Sequence, residues 1–525
     1  MRWARRYLIW TAGIGLLVCA GTVSALLAAG PRAGGAGTSI AATSTASTAT
    51  ATSPTTTSSA SSVLALSGHG WGHGLGLSQW GAYGYAQHGW RYDQILAHYY
   101  SGTTLGPANV STVRVLLRLS AKVTLSSVVG WTVRDATGAS VALPAASMVL
   151  TPKLAVAQLK TLAPPFTFTG RQPVVVNGQP YRGKIVVSLV GKQLEIVDVV
   201  GLEAYLKGVV PSEMPSTWSP EALKAQSVAA RSYALANLTK DRDFDLYGDT
   251  RSQVYGGLDA ESTAASAAVD ATKGEVVLYK GKVATTYFFS TSGGKTASAS
   301  ETTGVNVPYL VSVADPYDTA SPYHAWGPVL FDAATVAKQL KIDAPISDLR
   351  VESGPSGRAK TVTVVSANDL QTTLTGSQLR AQLELRSTWF SPVLLQLLPT
   401  TKTITYGGAL SLTGFARNAA ALSLESKTAT QSWASAGELL LGGSGAFSMI
   451  VKPVVATQYR LALDSVRAGL AKIAVAPRVD ATATTSGVEG TSKPVVPGAP
   501  VQLQQQSGPT WATVATTTTD ASGTW

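Results

Sequence analysis

The sequence predicts an α+β protein: a β-rich central domain with one prominent helix, followed by all-β, immunoglobulin-like sandwich units toward the C-terminus. Three observations predict it. From Leu64 to about Pro392, apolar strand-like runs alternate with turn signals. Inside that region the stretch "SPEALKAQSVAARSYALANL", Ser219 to Leu238, carries the start signals and Ala/Leu interior of a helix. After about Leu398 the chain changes to short alternating strands with turn glycines, the pattern of a sandwich. Composition agrees, because 45% hydrophobic residues over 525 positions can fill several cores, and 50 glycines favour turn-rich structure over a helical bundle.

The N-terminus indicates location. Arg2, Arg5 and Arg6 precede an uncharged apolar run from Tyr7 to Ala29, so residues 1–33 read as a signal peptide or as a signal anchor long enough to cross a bilayer. Either reading exports the rest of the chain, to the cell envelope or beyond; the second adds an N-terminal membrane anchor. Cys19, the only cysteine, lies inside that run, and Val18 before it is larger than a lipidation site prefers. The remaining chain therefore has no disulfide, thiolate zinc site or cysteine nucleophile. Residues 34–62, nearly all Ala, Ser, Thr and Gly, cannot bury a core and read as a disordered linker.

In the central domain, "VRVLLRL" (Val113 to Leu119), "KIVVSLV" (Lys184 to Val190), "QLEIVDVV" (Gln193 to Val200) and "EVVLYKGKVATTYFF" (Glu275 to Phe289) read as strands. The last contains a Lys280-Gly281 hairpin turn. Ser219 suits the N-cap of the helix, Pro220 its first position and Glu221 its positive end. Gln226, Ala230 and Tyr233 share one helix face. Near the N-terminal side, Ser78 can cap a helix through "QWGAYGYAQH", ended by Gly89, with "YDQILAHYY" forming another. Toward the C-terminus, residues 397–480 read as one immunoglobulin-like unit. Residues 481–525 read as a linker plus an incomplete second repeat, which stops at Trp525 before its last expected strands.

A formal net charge of +11 would attract a polyanion. Nucleic acid is a poor partner, since the basic residues are scattered with no phosphate-tracking run and the chain is exported. An anionic wall polymer fits better.

Two constellations carry chemistry. The first is "SGHGWGHGLGLSQWGAYGYAQHGWRYDQILAHYY", Ser67 to Tyr100, with four of the five histidines. His69 and His73 lie in a loop before a cap, without cysteine partners or a two-histidine helix motif, so no metal site is assigned. The second runs from Gly201 to Thr296 and holds "VVPSEMP", the Ser219–Leu238 helix, "SQVYGG" and "STSGGKT". With "PYLVSVADPYD" and "TGSQLRAQLELRSTWF", these motifs resemble the stage II sporulation protein D family, which includes the amidase-enhancer proteins of bacterial walls. The resemblance covers residues 63–396.

The resemblance implies a lytic transglycosylase acting on peptidoglycan glycan strands, with Glu213 of the "SEMP" turn as its acid. One carboxyl suffices for that chemistry. It protonates the leaving oxygen of a MurNAc–GlcNAc bond, then draws the proton from the muramyl 6-hydroxyl as that attacks C1, leaving a 1,6-anhydro end. No water is activated, so the second carboxyl of a hydrolase is not required, and no cofactor is called for. Arg231 would orient Glu213 or bind sugar oxygens, with Gln226 beside it. Tyr255 and the turn of Ser290, Ser292, Gly293 and Gly294 would form a sugar-contacting edge, with backbone amides reachable at the glycines. The Ser67–Tyr100 element ends the domain in most members associated with the family, whereas here it leads. That order predicts that His73 and Gln79 return in space to the groove holding Glu213. The rival reading is a non-catalytic wall-binding protein that enhances an N-acetylmuramoyl-L-alanine amidase.

Overall fold

The computed structural model describes residues 56–57, 62–108, 112–154, 156–239, 241–507 and 510–525. The expected N-terminal export segment and nearly all of the expected linker lie outside the described residues. Helix accounts for 18% and strand for 43% of the chain, which makes the protein α+β.

The sheet that positions the central helices has seven strands, in the order Leu246–Tyr247, Thr112–Ser120, Gln193–Gly201, Lys184–Val190, Phe166–Gly170, Trp131–Arg134 and Ser140–Leu143. Its middle strands alternate in and out along their length. The pairs Ile185 with Val187 and Leu194 with Ile196 point inward and are fully buried against a four-stranded sheet that supplies Val123, Leu125, Val174 and Val176. The other end of the sheet carries a helical layer. Val113 and Val115 pack against Tyr205, Leu206, Val209, Leu223 and Val269 from the helices Leu202–Glu213, Pro220–Ala236 and Thr263–Ala271.

The expected helix spans Pro220–Ala236, with proline in its first turn where a missing N–H costs nothing. Its alanines let it sink: Ala222, Ala225, Ala229 and Ala230 are fully buried. It is not the single helix of note, however. "GLEAYLKGVVPSE", which the prolines mark as a turn, is helical from Leu202 to Glu213. Pro211 sits in the last turn, where only one intrahelical hydrogen bond is lost, and the apolar face of Leu202, Tyr205, Leu206, Val209 and Val210 outweighs it.

The Lys280-Gly281 turn forms as expected, both residues at positive φ, and joins Glu275–Tyr279 to Lys282–Val283. The chain then leaves that ladder, and Phe288–Phe289 pairs in parallel with Leu77–Ser78 instead. The front element thus threads into the middle of the domain.

Further on, Ser62–His69 is the second strand of a five-stranded sheet, flanked by Ala325–Asp332 and Phe390–Pro399. Phe390–Pro399 continues the same sheet by pairing with Leu410–Arg417. The sheet is therefore unbroken across the expected domain boundary at 396/397. On both sides of it, Leu395, Leu397, Leu412 and Phe447 face Leu424, Tyr459, Leu461 and Ile473 of a second sheet in one shared core. Arg478–Thr484 pairs with Gly487–Lys493, and Pro500–Ser507 with Thr510–Thr518, as two hairpins.

Candidate functional site

Glu213 closes the helix Leu202–Glu213, with Met214 as its C-cap. Glu213 is half-buried. Oε1 accepts a hydrogen bond from the Val254 N–H at 3.0 Å, and the side-chain amide of Gln79 also acts on it. Burial pushes its pKa above the ordinary carboxylate value and outweighs those two donors. The C-terminal end of a helix acts in the same direction, since its partial negative charge disfavours an anion.

The support behind this carboxyl comes from "SQVYGG". Gln253, 1% exposed, accepts from the Tyr205 hydroxyl at 3.0 Å and donates to the Ala230 carbonyl at 3.2 Å. That bridge fixes the backbone whose next amide, Val254, holds Glu213. Tyr233 lies near enough for the Glu213 charge to raise its pKa, to about 12 with burial as the larger cause. Gln226, two turns earlier on the same face, is fully buried with both Oε1 and Nε2 unpaired among the described residues.

Gln79 arrives from far along the chain because Ser78 anchors the start of its helix. Ser78 Oγ accepts from the Gly81 N–H, capping Gln79–Gln87, and also from the Ser292 N–H, both at 3.2 Å. The Trp80 N–H donates to the Ser290 carbonyl at 3.0 Å. Gln79 is thus brought near the carboxyl, and its Nε2, in a side chain 7% exposed, has no hydrogen-bond partner among the described residues.

Other residues expected at the groove are committed elsewhere. Arg231 is fully buried and faces away, its Nε and Nη2 on the two oxygens of Glu203 at 2.9 and 2.6 Å and its Nη1 on the Glu275 carbonyl. Arg231 therefore meets Glu203 instead of Glu213, while Tyr233 of the same helix lies toward the carboxyl. Tyr255 is 6% exposed and donates to Asp198 Oδ2 at 2.9 Å. Asp198 is itself buried, and burial lifts its pKa to about 7.

The "STSGGKT" turn has its amides turned inward. Ser292 Oγ and the Gly293 N–H both donate to Asp318 Oδ2, at 2.9 and 2.6 Å, and Gly294 N–H donates to Ser292 Oγ at 3.0 Å. Arg358 closes the turn from behind, donating to the Ser292 and Lys295 carbonyls. Asp318, fully buried, also takes His324 Nδ1 at 2.6 Å. Ser292 and Gly293 are thus buried struts, leaving Ser290 and Gly294 as the half-buried members.

His73 has both ring nitrogens engaged by main chain. Nδ1 accepts from the Leu75 N–H at 3.0 Å, which leaves the proton on Nε2 to donate to the Phe288 carbonyl at 3.1 Å. Burial, reinforced by Arg380 and Arg358, lowers its pKa to about 4. It locks the loop whose neighbouring strand carries Ser78. His88 and His98 likewise bond carbonyls, of Gly84 and Ala314. Among the described residues no three His, Cys, Asp or Glu side chains converge as a metal site.

The fold and site define an α+β domain with a raised-pKa carboxyl at a helix end, held by a loop amide and close to a glutamine of the leading element. Residues 190–279 match the family model described as "Stage II sporulation protein". Over this region the chain is similar to the stage II sporulation protein D family. It is 31% identical to stage II sporulation protein D of Bacillus subtilis, covering 37% of this chain and 61% of that protein. It is 39% identical to the amidase enhancer of the same organism, covering 27% and 19%, and 40% identical to an uncharacterized protein of Brachyspira hyodysenteriae, covering 28% and 40%. The chain spans less than two thirds of each of these relatives.

Proposed function

We propose that this protein acts in the bacterial cell wall, as a peptidoglycan lytic transglycosylase in which Glu213 is the acid and then the base. The observation that carries the reading is a half-buried glutamate whose pKa is raised by burial while one neutral donor, the Val254 N–H, fixes its direction. A raised pKa keeps the acid form populated nearer neutrality, and a fixed carboxyl can reach two oxygens in turn. In the first step the Glu213 proton passes to the leaving glycosidic oxygen as the muramyl C1–O bond breaks. In the second the 6-hydroxyl oxygen bonds to C1 and its proton returns to Glu213. No other carboxyl or metal takes part in either step.

Likeness to the amidase enhancer favours a second reading, in which the same groove holds glycan without cutting it and presents it to an amidase. Under both readings the face-to-face sheets beyond Phe390 serve as an immunoglobulin-like spacer or wall-binding unit, and residues 1–62 export and tether the body. The test is incubation of the full chain with purified peptide-free glycan strands. Release of fragments with 1,6-anhydromuramyl ends supports the transglycosylase. Intact strands, together with stimulation of a purified amidase, establish the second reading instead.

A further inference from the structure

On the two segments that follow Gln79 and Glu213 stands a group of rings that the acid–base chemistry does not use. Trp80, Tyr83 and Trp218 are each half-buried. Trp218 meets Trp80 edge-on with centroids 4.7 Å apart and stacks on Tyr83 at 4.7 Å and 28°. Trp80 and Tyr83 close the triangle at 5.9 Å and 89°. A buried core would cover such rings completely; here one flank of each remains open to solvent.

The backbone ties this cluster to the site twice. Trp80 follows Gln79 directly and its N–H is held by the Ser290 carbonyl. Trp218 stands on the short connector after Glu213, where its N–H closes a turn on the Pro215 carbonyl. Directly before Trp80 stands Gln79, whose buried Nε2 has no hydrogen-bond partner among the described residues. Apolar flat faces beside a free amide donor match one chemistry well: a pyranose ring, with an axial C–H face and equatorial hydroxyl and acetamido groups.

We propose that Trp80, Tyr83 and Trp218 form a sugar-stacking subsite that grips the glycan next to the bond presented to Glu213. The ligand is a β-1,4-linked N-acetylated aminosugar strand. The identity of that ligand rests on the glycan reading above, but the subsite does not depend on cleavage.

The test uses full-length Glu213→Gln protein, so that strands are not consumed, titrated with peptide-free glycan strands while tryptophan emission is followed. Emission changes saturably, and free stem peptides leave it unchanged. Trp218→Ala and Tyr83→Ala weaken binding roughly tenfold each, whereas Trp218→Phe, which keeps a flat face, retains most of it. Binding equal to the parent in the alanine variants overturns the subsite, as does an emission response to stem peptides alone. If an alanine variant is unfolded by circular dichroism, the comparison of Trp218→Phe with Trp218→Gln decides in the same way. Loss of binding in the alanine variants without anhydro products from wild type would keep the subsite and remove the catalytic reading; products with undiminished binding would do the reverse.

Discussion

Arg231 is paired with Glu203 through both guanidinium edges, at 2.9 and 2.6 Å, and this pair locks the long helix to the one that ends at Glu213. The arginine is fully buried while the Glu203 side chain is 23% exposed. Replacing Arg231 with methionine strands a largely desolvated carboxylate and should cost about 3 kcal/mol in urea unfolding. Adding Glu203→Leu should recover much of that loss. Glycan affinity per folded molecule should be unchanged in both, and a selective loss of affinity at full stability would return Arg231 to the groove.

Gly76 and Gly89 both have φ near +80°, but their surroundings differ. A Cβ at Gly76 would collide with the Tyr287 carbonyl, while at Gly89 it would meet open space. Gly89→Ala should therefore cost about 1 kcal/mol, the backbone penalty alone. Gly76→Ala should cost at least ~2 kcal/mol, because the carbonyl that also accepts from Leu77 and Tyr100 must move. Thermal unfolding of the two variants side by side checks the ranking.

Asp198 gives a pH signature. Its folded pKa, about 7, lies above its ordinary 3.8, so the fold prefers the neutral acid. That preference is fully present below about pH 4, declines as pH rises, and is lost once pH passes about 7. Asp198→Asn keeps an acceptor for the Tyr255 hydroxyl and should flatten the stability profile between those limits. An unchanged slope in denaturant melts from pH 4 to 8 would contradict the assignment.

His73 should behave oppositely. Its folded pKa of about 4 lies below the ordinary 6.5, so its contribution is complete above about pH 6.5 and is lost as pH falls toward 4. Nitrogen-edge NMR should find the Nε2–H tautomer throughout the neutral range, with no titration between pH 5 and 8. A midpoint near 6.5 would mean that the ring is solvated and free to touch substrate.

Much of the frame was readable from periodicity. The alternating runs that became Thr112–Ser120, Lys184–Val190 and Gln193–Gly201 have the two-residue repeat of half-buried strands, and Pro220 marked its helix start correctly. The helix over Leu202–Glu213 was hidden by Pro211 and Pro215, whose local preference tertiary packing overrode. At the site, Gln79 and Glu213 are brought together by long-range pairing that no local pattern encodes. Arg231, Ser292 and Gly293 looked like ligand-binding groups because polar residues and glycines serve equally well to satisfy buried partners, here Glu203 and Asp318. Gln253 could have been found from "SQVYGG", since a polar residue between a helix and a tyrosine-glycine turn is suited to bridging backbone. The aromatic triangle was not legible, because Trp80 and Trp218 are 138 positions apart in the chain.

The central claim is that Glu213 performs the bond breaking. The most direct measurement compares wild-type and Glu213→Gln protein, both confirmed folded, on peptide-free glycan strands, with the ends of the products read by mass spectrometry. Glutamine preserves the shape and the Val254 contact but cannot give or take the proton. The account predicts 1,6-anhydromuramyl ends from wild type and at least a hundredfold fewer from the variant. Equal yields of anhydro ends from the two proteins would contradict it.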